Sequence, residues 1–210
     1  MRVLSEQPNK KSYQDGNLRL KVFGASFQKS DILNEALNQA RVEETGLQIP
    51  KLLEVKQIDG QWTIVTEFIE GETLESLMAA HPEKMSEYLE QFVALQSEIL
   101  SKRAPLLNRL KDKMNRKIRE SGLDATTRYE LHMRLNGMRE HEKICHGDFN
   151  PSNVIVTPDG DWYVIDWSHV TQGNASADAA RTYLLFCLEG DRAKADKYLD
   201  LFSKKSDTAK

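Results

Sequence analysis

The sequence predicts an α+β fold of two lobes, a small N-terminal β-sheet lobe with one helix and a mainly helical C-terminal lobe. Three observations support this prediction. The first third of the chain contains the strand-like runs "LRLKVF" and "LLEVKQIDGQWTIVTEFI". After "EGETLESLM" the apolar residues recur at helical spacing instead. The length of 210 residues and the hydrophobic content of 40% are sufficient for a folded core.

The N-terminal lobe is predicted to contain strands interrupted by a single helix. "LRLKVF" is short and partly alternating, and Asp59-Gly60 turns the second run into a β-hairpin. Between the two runs, "SDILNEALNQARVEETG" has helical periodicity and stops at Gly46. One face of this helix carries Ile32, Ala36 and Ala40, with Leu33 and Leu37 beside them. We therefore expect an amphipathic helix packed on a small sheet.

The C-terminal lobe is predicted to begin with two long helices. The first has an apolar stripe formed by Tyr88, Leu89, Phe92, Val93, Ile99 and Leu100. The second begins near Pro105 and has a stripe formed by Leu107, Leu110, Met114 and Ile118. Because residues 106–119 are rich in Lys and Arg, we expect a solvated polar face opposite this stripe, with anion binding as the alternative.

The last third of the chain returns to a hairpin and then to helices. "VIVTPDGDWYVIDW" contains two apolar runs separated by Pro158-Asp159-Gly160, which have turn chemistry. "SADAARTYLLFCLEG" and "KADKYLDLF" have helical periodicity. We therefore predict an N-terminal lobe of residues 1–70, a helical lobe of residues 71–202, and a polar tail of residues 203–210.

Charge and hydropathy exclude several classes of function. The 29 basic and 32 acidic residues give a net charge of -3, so no overall field attracts nucleic acid or an anionic membrane surface. No window is apolar enough to span a membrane, and the N-terminus has no signal-peptide core, so we predict a cytoplasmic protein. Cys145 and Cys187 lack metal-binding spacing and are expected to be buried, reduced thiols.

The stretch "HGDFNPSNVIV" contains the strongest candidate for a chemical site. Asp148 and Asn153 are five residues apart, and Asp166 follows on the far arm of the predicted hairpin. Their spacing predicts that the three polar groups come together and provide oxygen ligands for Mg²⁺. Asp148 could then orient a hydroxyl or accept its proton. Taken singly, each residue could be a turn cap or an exposed strand end, but the joint spacing favours a site.

"HGDFNPSNVIV" followed by "VIDW" resembles the aminoglycoside phosphotransferase and choline kinase family, relatives of the eukaryotic protein kinases. The resemblance implies a protein kinase-like fold in which Asp148 is the catalytic base. It also implies that Asn153 and Asp166 bind Mg²⁺, with Asp166 linking the metal to the phosphates. His146 matches the histidine that supports the catalytic loop. Asp178 resembles the aspartate that anchors this loop, although a first-turn acid favoured by the helix dipole is equally compatible.

The N-terminal third resembles the same family. By this resemblance, Lys21 contacts the nucleotide phosphates and Glu35 holds Lys21 through an ion pair. The stretch "SEQPNKKSYQDG" occupies the position of the loop over the phosphates but lacks the glycine signature of protein kinases. Ser12 and backbone amides are expected to replace it. The hinge that binds the purine is expected at Thr66, Glu67, Phe68 and Ile69.

The resemblance implies transfer of the γ-phosphate of ATP or GTP to a hydroxyl group of a small molecule, with Mg²⁺ as cofactor. Two alternatives stay open at this point. A protein or macromolecule kinase could use the helices between residues 105 and 138 for docking, and a non-catalytic nucleotide-binding module could lack transfer altogether. The sequence leaves open the acceptor and the oligomeric state, since the family includes kinases for choline, homoserine, methylthioribose and sugars.

Overall fold

The structure is a computed structural model, and it describes residues 1–206. Within these residues the backbone forms ten β-strands. In chain order they are β1 (Arg2–Gln7), β2 (Lys10–Asp15), β3 (Leu18–Phe23), β4 (Leu52–Ile58), β5 (Gln61–Glu67), β6 (Glu72–Thr73), β7 (Lys143–Cys145), β8 (Val154–Val156), β9 (Trp162–Val164) and β10 (Thr171–Gly173).

The same residues form seven α-helices and three short 3₁₀ helices. The α-helices are α1 (Lys29–Glu43), α2 (Leu74–Ala80), α3 (Met85–Ser101), α4 (Leu110–Glu120), α5 (Ala125–Gly137), α6 (Ala175–Leu188) and α7 (Arg192–Ser206). The 3₁₀ helices are Pro82–Lys84, Pro151–Asn153 and Trp167–His169. An antiparallel N-terminal sheet followed by a mainly helical region confirms the predicted α+β fold class.

The chain divides into two compact units. The first unit contains Met1–Met85 and Asn150–His169, and the second contains Ser86–Phe149 and the described residues from Val170 onward. Residues 150–169 thus group with the N-terminal part, because β8 pairs with both β6 and β9 in a three-stranded sheet. The division at residues 70 and 202 that we expected from the sequence stays a prediction.

The first unit is built on a five-stranded antiparallel sheet with the order β1-β2-β3-β5-β4. The predicted strand "LRLKVF" is β3, and the predicted hairpin at Asp59-Gly60 joins β4 to β5. Helix α1 packs on the sheet through a small apolar core. This core consists of Phe23, Ile32, Ala36 and Ile64, with Leu52, Val55 and Trp62 packed against it.

The segment expected as a phosphate loop, "SEQPNKKSYQDG", is part of a hairpin that the sequence analysis did not predict. Strands β1 and β2 pair antiparallel across the turn at Pro8-Asn9. The Gly24 amide donates to the Asn9 carbonyl over 2.8 Å, and a Cβ on Gly24 would lie 3.1 Å from that oxygen. The turn is therefore held against the end of β3 by backbone contacts.

The predicted apolar face of α1 was wrong at two leucines. Ile32 and Ala36 are buried as expected, but Leu33 and Leu37 are exposed. Polar Asn38 and Gln39 are buried beside the apolar face instead. The Gln39 amide donates to the Pro50 carbonyl over 2.5 Å, which provides a partner for a polar group inside the unit.

The second unit has an aromatic core between its helices. Phe92 of α3 stacks on Phe149 with ring centroids 4.3 Å apart, and the rings of Phe186 and Tyr198 pack edge-on to each other at 5.6 Å. These residues come from α3, α6, α7 and the loop after β7, so the core joins distant parts of the sequence. Strands β7 and β10 pair antiparallel beside it.

The second long helix begins later than the sequence predicts, at Leu110 rather than near Pro105. Carbonyl groups before Leu110 accept hydrogen bonds from Gln172 of β10 instead of from the amides of a helical turn. Its side-chain amide donates to Pro105 O over 2.9 Å and to Leu107 O over 2.5 Å. Leu110 then packs so closely on Gly173 that a Cβ there would lie 2.6 Å from the leucine Cβ.

The remaining sequence predictions concern the tail, the cysteines and membranes. Helix α7 extends to Ser206, so residues 203–206 of the predicted polar tail are helical, and residues 207–210 lie outside the described residues. Cys145 is buried and Cys187 is half-buried, and both are free thiols. Across the described part of the chain, no helix combines the length and the apolar character needed to cross a membrane. The cytoplasmic location stays a prediction.

Candidate active site

The first unit brings Lys21, Glu35 and Asp166 together. Strand β3 places Lys21 opposite Ile64 of β5 and Ser12 of β2, and only 5% of the Lys21 side chain is exposed. Its Nζ forms an ion pair with Glu35 Oε1 of α1. The same Nζ lies 3.1 Å from Oδ1 of Asp166. One buried ammonium therefore joins a helix and the end of the β8–β9 hairpin to the central sheet.

Asp166 is held in an unusual backbone conformation next to this ammonium. Its φ of 61° is in the left-handed region, which few residues other than glycine, asparagine and aspartate adopt readily. The amide of Ile165 donates to the Asn153 carbonyl over 2.9 Å, which places the two predicted metal ligands at neighbouring points of the hairpin. Asp166 and Asn153 are thus both held within the first unit.

The electrostatic environment keeps the Asp166 carboxyl ionised. Burial raises its pKa, but the ammonium groups of Lys21 and Lys10, together with hydrogen bonds, lower it, and the net shift is downward. Oδ2 of Asp166 is 3.8 Å from Lys10 Nζ, and a hydrogen bond from Ser168 acts in the same direction. The pKa of Asp166 therefore lies well below its ordinary value, and the group is a charged oxygen ligand at neutral pH.

The sequence analysis missed two cations at this place, Lys10 and Arg19. Arg19 is two residues before Lys21 on β3 and so lies on the same face of the strand. Its Nη2 donates to Oγ of the buried Ser12 over 3.3 Å. Burial lowers the pKa of Arg19, while Asp166 and Glu35 raise it. The period of two on β3 was the signal that could have identified Arg19, whereas Lys10 required knowledge of the β1–β2 hairpin.

A small cavity of about 20 Å³ connects these groups with the predicted hinge. Its lining includes Arg19, Lys21, Glu35, Thr66, Asp166 and Trp167. Thr66 and Glu67 are the last residues of β5, and the Phe68 amide donates to the Asn17 carbonyl over 2.9 Å. Thr66 thus lines the same cavity as Arg19 and Lys21. Phe68 and Ile69 follow the end of β5.

The donor set of the first unit fits Mg²⁺. One ionised carboxylate and one amide oxygen provide two protein ligands, which leaves positions for water and phosphate oxygens. Among residues 1–206, no group of three or more His, Cys, Asp or Glu side chains could hold a metal by itself. The arrangement is therefore suited to a metal shared with a phosphate ligand and not to a cage made by the protein alone.

In the second unit, Asp178 of α6 holds the His146–Phe149 loop. Its Oδ1 accepts a hydrogen bond of 2.7 Å from the Gly147 amide, at a glycine whose φ is 78°. Nδ1 of the buried His146 accepts a hydrogen bond from the Asp148 amide over 3.2 Å, so the imidazole also holds the loop. The sequence left two interpretations of Asp178 open, and these contacts favour the loop anchor.

Asp178 is also part of a buried hydrogen-bond network. Oδ2 of Asp178 accepts from Gln96 Nε2 over 3.1 Å, and the Tyr198 hydroxyl donates to Gln96 Oε1 over 2.6 Å. The Thr182 hydroxyl donates to the Phe149 carbonyl over 2.8 Å. Burial raises the pKa of Asp178, whereas the Gly147 amide and His146 lower it. The network joins α3, α6 and α7 to both ends of the loop.

Asp148 lies on this supported loop with its side chain 30% exposed. Its Oδ1 is 3.5 Å from Nη2 of Arg181, which the sequence analysis did not identify. Arg181 is one helical turn after Ala177 and three residues after Asp178 on α6. The proximity of Asp148 to Asn153 and Asp166 that the spacing suggested stays a prediction.

Replacing Asp178 with alanine should destabilise the second unit. The change leaves the Gly147 amide and the Gln96 amide group without their acceptor, at a cost of about 1–3 kcal/mol each. For two such groups in a chain of this size we expect the Tm to fall by roughly 4–24 °C. The matched control is Asp112→Ala, at an exposed aspartate of α4 in the same unit. Equal Tm values for the two variants in calorimetry would show that Asp178 does not anchor the loop.

Comparison with known proteins identifies a family. The profile of the phosphotransferase enzyme family, APH, matches residues 12–209, nearly the whole chain. No match was found among curated proteins.

Several solved structures with the same fold are aminoglycoside phosphotransferases of low sequence identity. An aminoglycoside-3'-phosphotransferase of type VIII is 19% identical, with a TM-score of 0.69 over 99% of this chain and 87% of that chain. A thermostable mutant of APH(4)-Ia in ternary complex with ADP and hygromycin B is 18% identical, with a TM-score of 0.69 over 97% and 77%. APH(2")-IIa in a streptomycin-ATP ternary complex is 17% identical, with a TM-score of 0.62 over 96% and 76%.

Proposed function

This chain belongs to the phosphotransferase enzyme family, and from that premise we propose that it transfers the γ-phosphate of ATP or GTP to a hydroxyl group of a small molecule. The observation that carries the proposal is the buried Lys21 ammonium, paired with Glu35 and Asp166. In kinases a lysine–glutamate pair and a metal-binding aspartate position the triphosphate. The structural neighbours with ADP and hygromycin B, or with ATP and streptomycin, support a nucleotide and a hydroxyl-bearing acceptor.

The first unit has the groups needed to bind a nucleoside triphosphate. Lys21, Lys10 and Arg19 are three cations that face the same carboxylate, Asp166, and they suit an anionic phosphate chain. The Ser12 hydroxyl and the amides of the β1–β2 turn would bind the remaining phosphate oxygens. The backbone at residues 66–69 would bind the purine.

Asp166 and Asn153 would hold Mg²⁺ through the carboxylate and the amide oxygen. The ion, when bound, neutralises charge on the phosphate oxygens. Lys21 and Lys10 lower the pKa of Asp166, which favours the ionised carboxylate that a metal requires. Glu35 in turn fixes the direction of the Lys21 ammonium, so the protein residues are arranged before any ligand binds.

Asp148 would act on the acceptor. Its carboxylate orients the acceptor hydroxyl and takes its proton as the oxygen bonds to the γ-phosphorus, while the bond to the nucleoside diphosphate breaks. The products are the phosphorylated acceptor and the nucleoside diphosphate, and no covalent enzyme intermediate forms. Asp178 and His146 are positioning residues, since they hold the loop through its Gly147 and Asp148 amides.

Metal-dependent stabilisation tests the nucleotide part of this proposal. ATP or GTP should raise the Tm only with Mg²⁺ present, because a ligand stabilises the state that it binds. At a concentration about a hundredfold above Kd the gain is roughly 2.7 kcal/mol, or about 5–10 °C. Asp166→Asn keeps the side-chain shape and tolerates a positive φ, and it should lose most of the magnesium-dependent part.

Asp161→Asn is the matched control, at an exposed aspartate in the β8–β9 hairpin. It should keep the full shift in the same thermal titration. An equal shift with and without Mg²⁺ in both variants and in the wild type would contradict the metal assignment. If neither nucleotide changed the Tm, the kinase function itself would be wrong.

A further inference from the structure

Helix α4 has an apolar stripe that the rest of the second unit does not bury. Leu110 and Met114 of this stripe are one helical turn apart, yet no residue of α4 is buried, and Met114 is 38% exposed. A helix that packs on a folded core normally buries its apolar stripe. The exposed stripe of α4 therefore needs another explanation.

A cavity of about 370 Å³ lies beside this stripe, and every residue that lines it belongs to the second unit. Its apolar lining comes from α4, α5 and α6 and consists of Leu110, Met114, Leu135, Met138 and Ala177. Sites for small molecules typically have volumes of about 300–1,000 Å³ and a mainly apolar lining. The cavity shares no residue with the groups that we assign to the nucleotide, to Mg²⁺ or to the acceptor hydroxyl.

The charged lining of the cavity is mainly cationic. Its Lys and Arg residues are Arg103, Arg109, Lys111, Arg139 and Lys143. Only two carboxylates, Glu140 and Glu142, line the same cavity. The lining therefore carries more positive than negative charge.

Both glutamates already have cationic partners. Glu140 is 3.4 Å from Arg109 and 3.5 Å from Lys111, and Glu142 is 3.5 Å from Arg103. Across residues 1–206, no ion pair joins Arg139 or Lys143 to a carboxylate. These two cations are thus the ones that a bound anion can pair with.

We propose that this cavity binds a small organic anion with an apolar body, whose carboxylate or phosphate group pairs with Arg139 and Lys143. The body would lie against Leu110, Met114 and Met138, since methionine side chains adapt to ligands of different shape. Cationic side chains form charge-assisted hydrogen bonds with both kinds of oxyanion. The inference does not depend on the proposed phosphate transfer.

This inference also favours one of the two interpretations of the basic stretch at residues 106–119. The sequence left a solvated face and anion binding as alternatives. Arg109 and Lys111 of this stretch line the cavity together with Leu110 and Met114. The basic and the apolar residues of the stretch thus contribute to one site, which favours anion binding.

A ligand in the cavity should stabilise the second unit. Lys143 is the first residue of β7 and pairs with Gly173 of β10, and both line the cavity. The Cys145 thiol at the end of β7 donates to the carbonyl of Asn174, another lining residue, over 3.4 Å. A ligand that contacts both strands should raise the Tm, because it binds the folded state only.

Calorimetric titration of the whole chain with 2-naphthoate tests the inference. 2-Naphthalenemethanol has the same rings without the charge, and acetate has the charge without the rings. 2-Naphthoate should bind at least about tenfold more tightly than either, because each of them lacks one of the two interactions. 2-Naphthyl phosphate, titrated in parallel, identifies the preferred oxyanion. Equal Kd values for 2-naphthoate and the alcohol, or no binding of either anion, would overturn the inference.

A pair of double variants tests the role of the two cations. Arg139→Ala combined with Lys143→Ala should raise the 2-naphthoate Kd by roughly tenfold or more, the usual effect of losing charged partners. Lys117→Ala combined with Arg134→Ala is the control, since it removes the same charge from exposed residues of α4 and α5 outside the lining. Its Kd should change by less than about twofold.

The apolar lining is tested by two methionines of α5 and its C-terminal end. Met138 lines the cavity and Met133 does not, although their exposed fractions are 55% and 54%. Met138→Glu places a carboxylate where the ligand body would lie, so it should abolish 2-naphthoate binding, whereas Met133→Glu should retain it. The Tm of each variant without ligand shows that it is folded. Equal losses of binding in the two methionine variants, or in the two double variants, would overturn the inference.

Discussion

Replacing Asp148 with alanine or asparagine is expected to lower kcat by about a hundredfold or more, the usual contribution of a positioned base. The acceptor hydroxyl then lacks the carboxylate that orients it and takes its proton. Nucleotide affinity should change little, because Lys21, Asn153 and Asp166, which we assign to the triphosphate and metal, are unchanged. The Tm should also be retained, since Asp148 is partly exposed and its loop is anchored through Gly147.

The comparison for Asp148→Asn is Asp161→Asn, which also converts an exposed carboxylate to an amide. Steady-state turnover with a fixed acceptor should be normal in the control and severely reduced at Asp148. Full turnover in a folded Asp148→Asn protein would remove this residue from the mechanism. A rise in nucleotide KM without a fall in kcat would assign Asp148 to nucleotide binding instead.

The second large effect is expected at Lys21. Lys21→Met removes the ammonium that pairs with both Glu35 and Asp166. Glu35 then loses its partner, Asp166 keeps Lys10 but loses the nearer ammonium, and phosphate positioning is lost, so we expect kcat/KM to fall by about a hundredfold or more. Glu35→Gln should act in the same direction with a smaller loss, because the ammonium stays but is no longer fixed on the α1 side.

A double-mutant cycle measures whether Lys21 and Glu35 act together. If they act as one unit, the double variant should be no worse than Lys21→Met alone. Independent losses whose free energies add would contradict the pairing. The exposed pair Lys56 and Glu54, with N and O atoms 2.7 Å apart on β4, is the control. Substitutions there should leave kcat/KM unchanged, because surface ion pairs contribute little.

Elements with strong local signals were predicted correctly from the sequence. The β4–β5 hairpin follows from Asp59-Gly60, and the positive φ values of both residues show why these residue types are needed at this turn. The β8–β9 hairpin follows from Pro158-Asp159-Gly160 in the same way. Helix α3 buries Leu89, Phe92, Val93, Ile99 and Leu100 of its predicted stripe, since apolar spacing determines which face a helix buries.

Features that depend on contacts distant in sequence were not predicted. The β1–β2 hairpin has no glycine at its turn, so the sequence of its strands was interpreted as a polar loop. Helix α4 begins late because Gln172, more than sixty residues away, binds the carbonyls of Pro105 and Leu107. Periodicity cannot identify such a partner, and it also placed Leu33 and Leu37 beside a core that does not reach them.

The residues of the candidate site also form two groups, those predicted from the sequence and those that only the structure revealed. The motif letters identified Asp148, Asn153 and Asp166, and chain order with the family resemblance selected Lys21 and Glu35. The cations Lys10, Arg19 and Arg181 carry no motif, and only the folded chain shows which carboxylates lie near them. The charge around a site is a property of the fold, so the acceptor class could not be inferred from the motif.

The most direct test of phosphoryl transfer is to follow the γ-phosphate itself. The protein is incubated with Mg²⁺ and ATP or GTP radiolabelled in the γ-phosphate, together with a panel of anionic, neutral and amino-bearing hydroxyl compounds and, separately, with lysate proteins. We predict label on a small-molecule hydroxyl in equal amount to the nucleoside diphosphate formed, and its loss in Asp148→Asn. Label confined to proteins would support a protein kinase, and bound nucleotide without any transfer would contradict the enzymatic function.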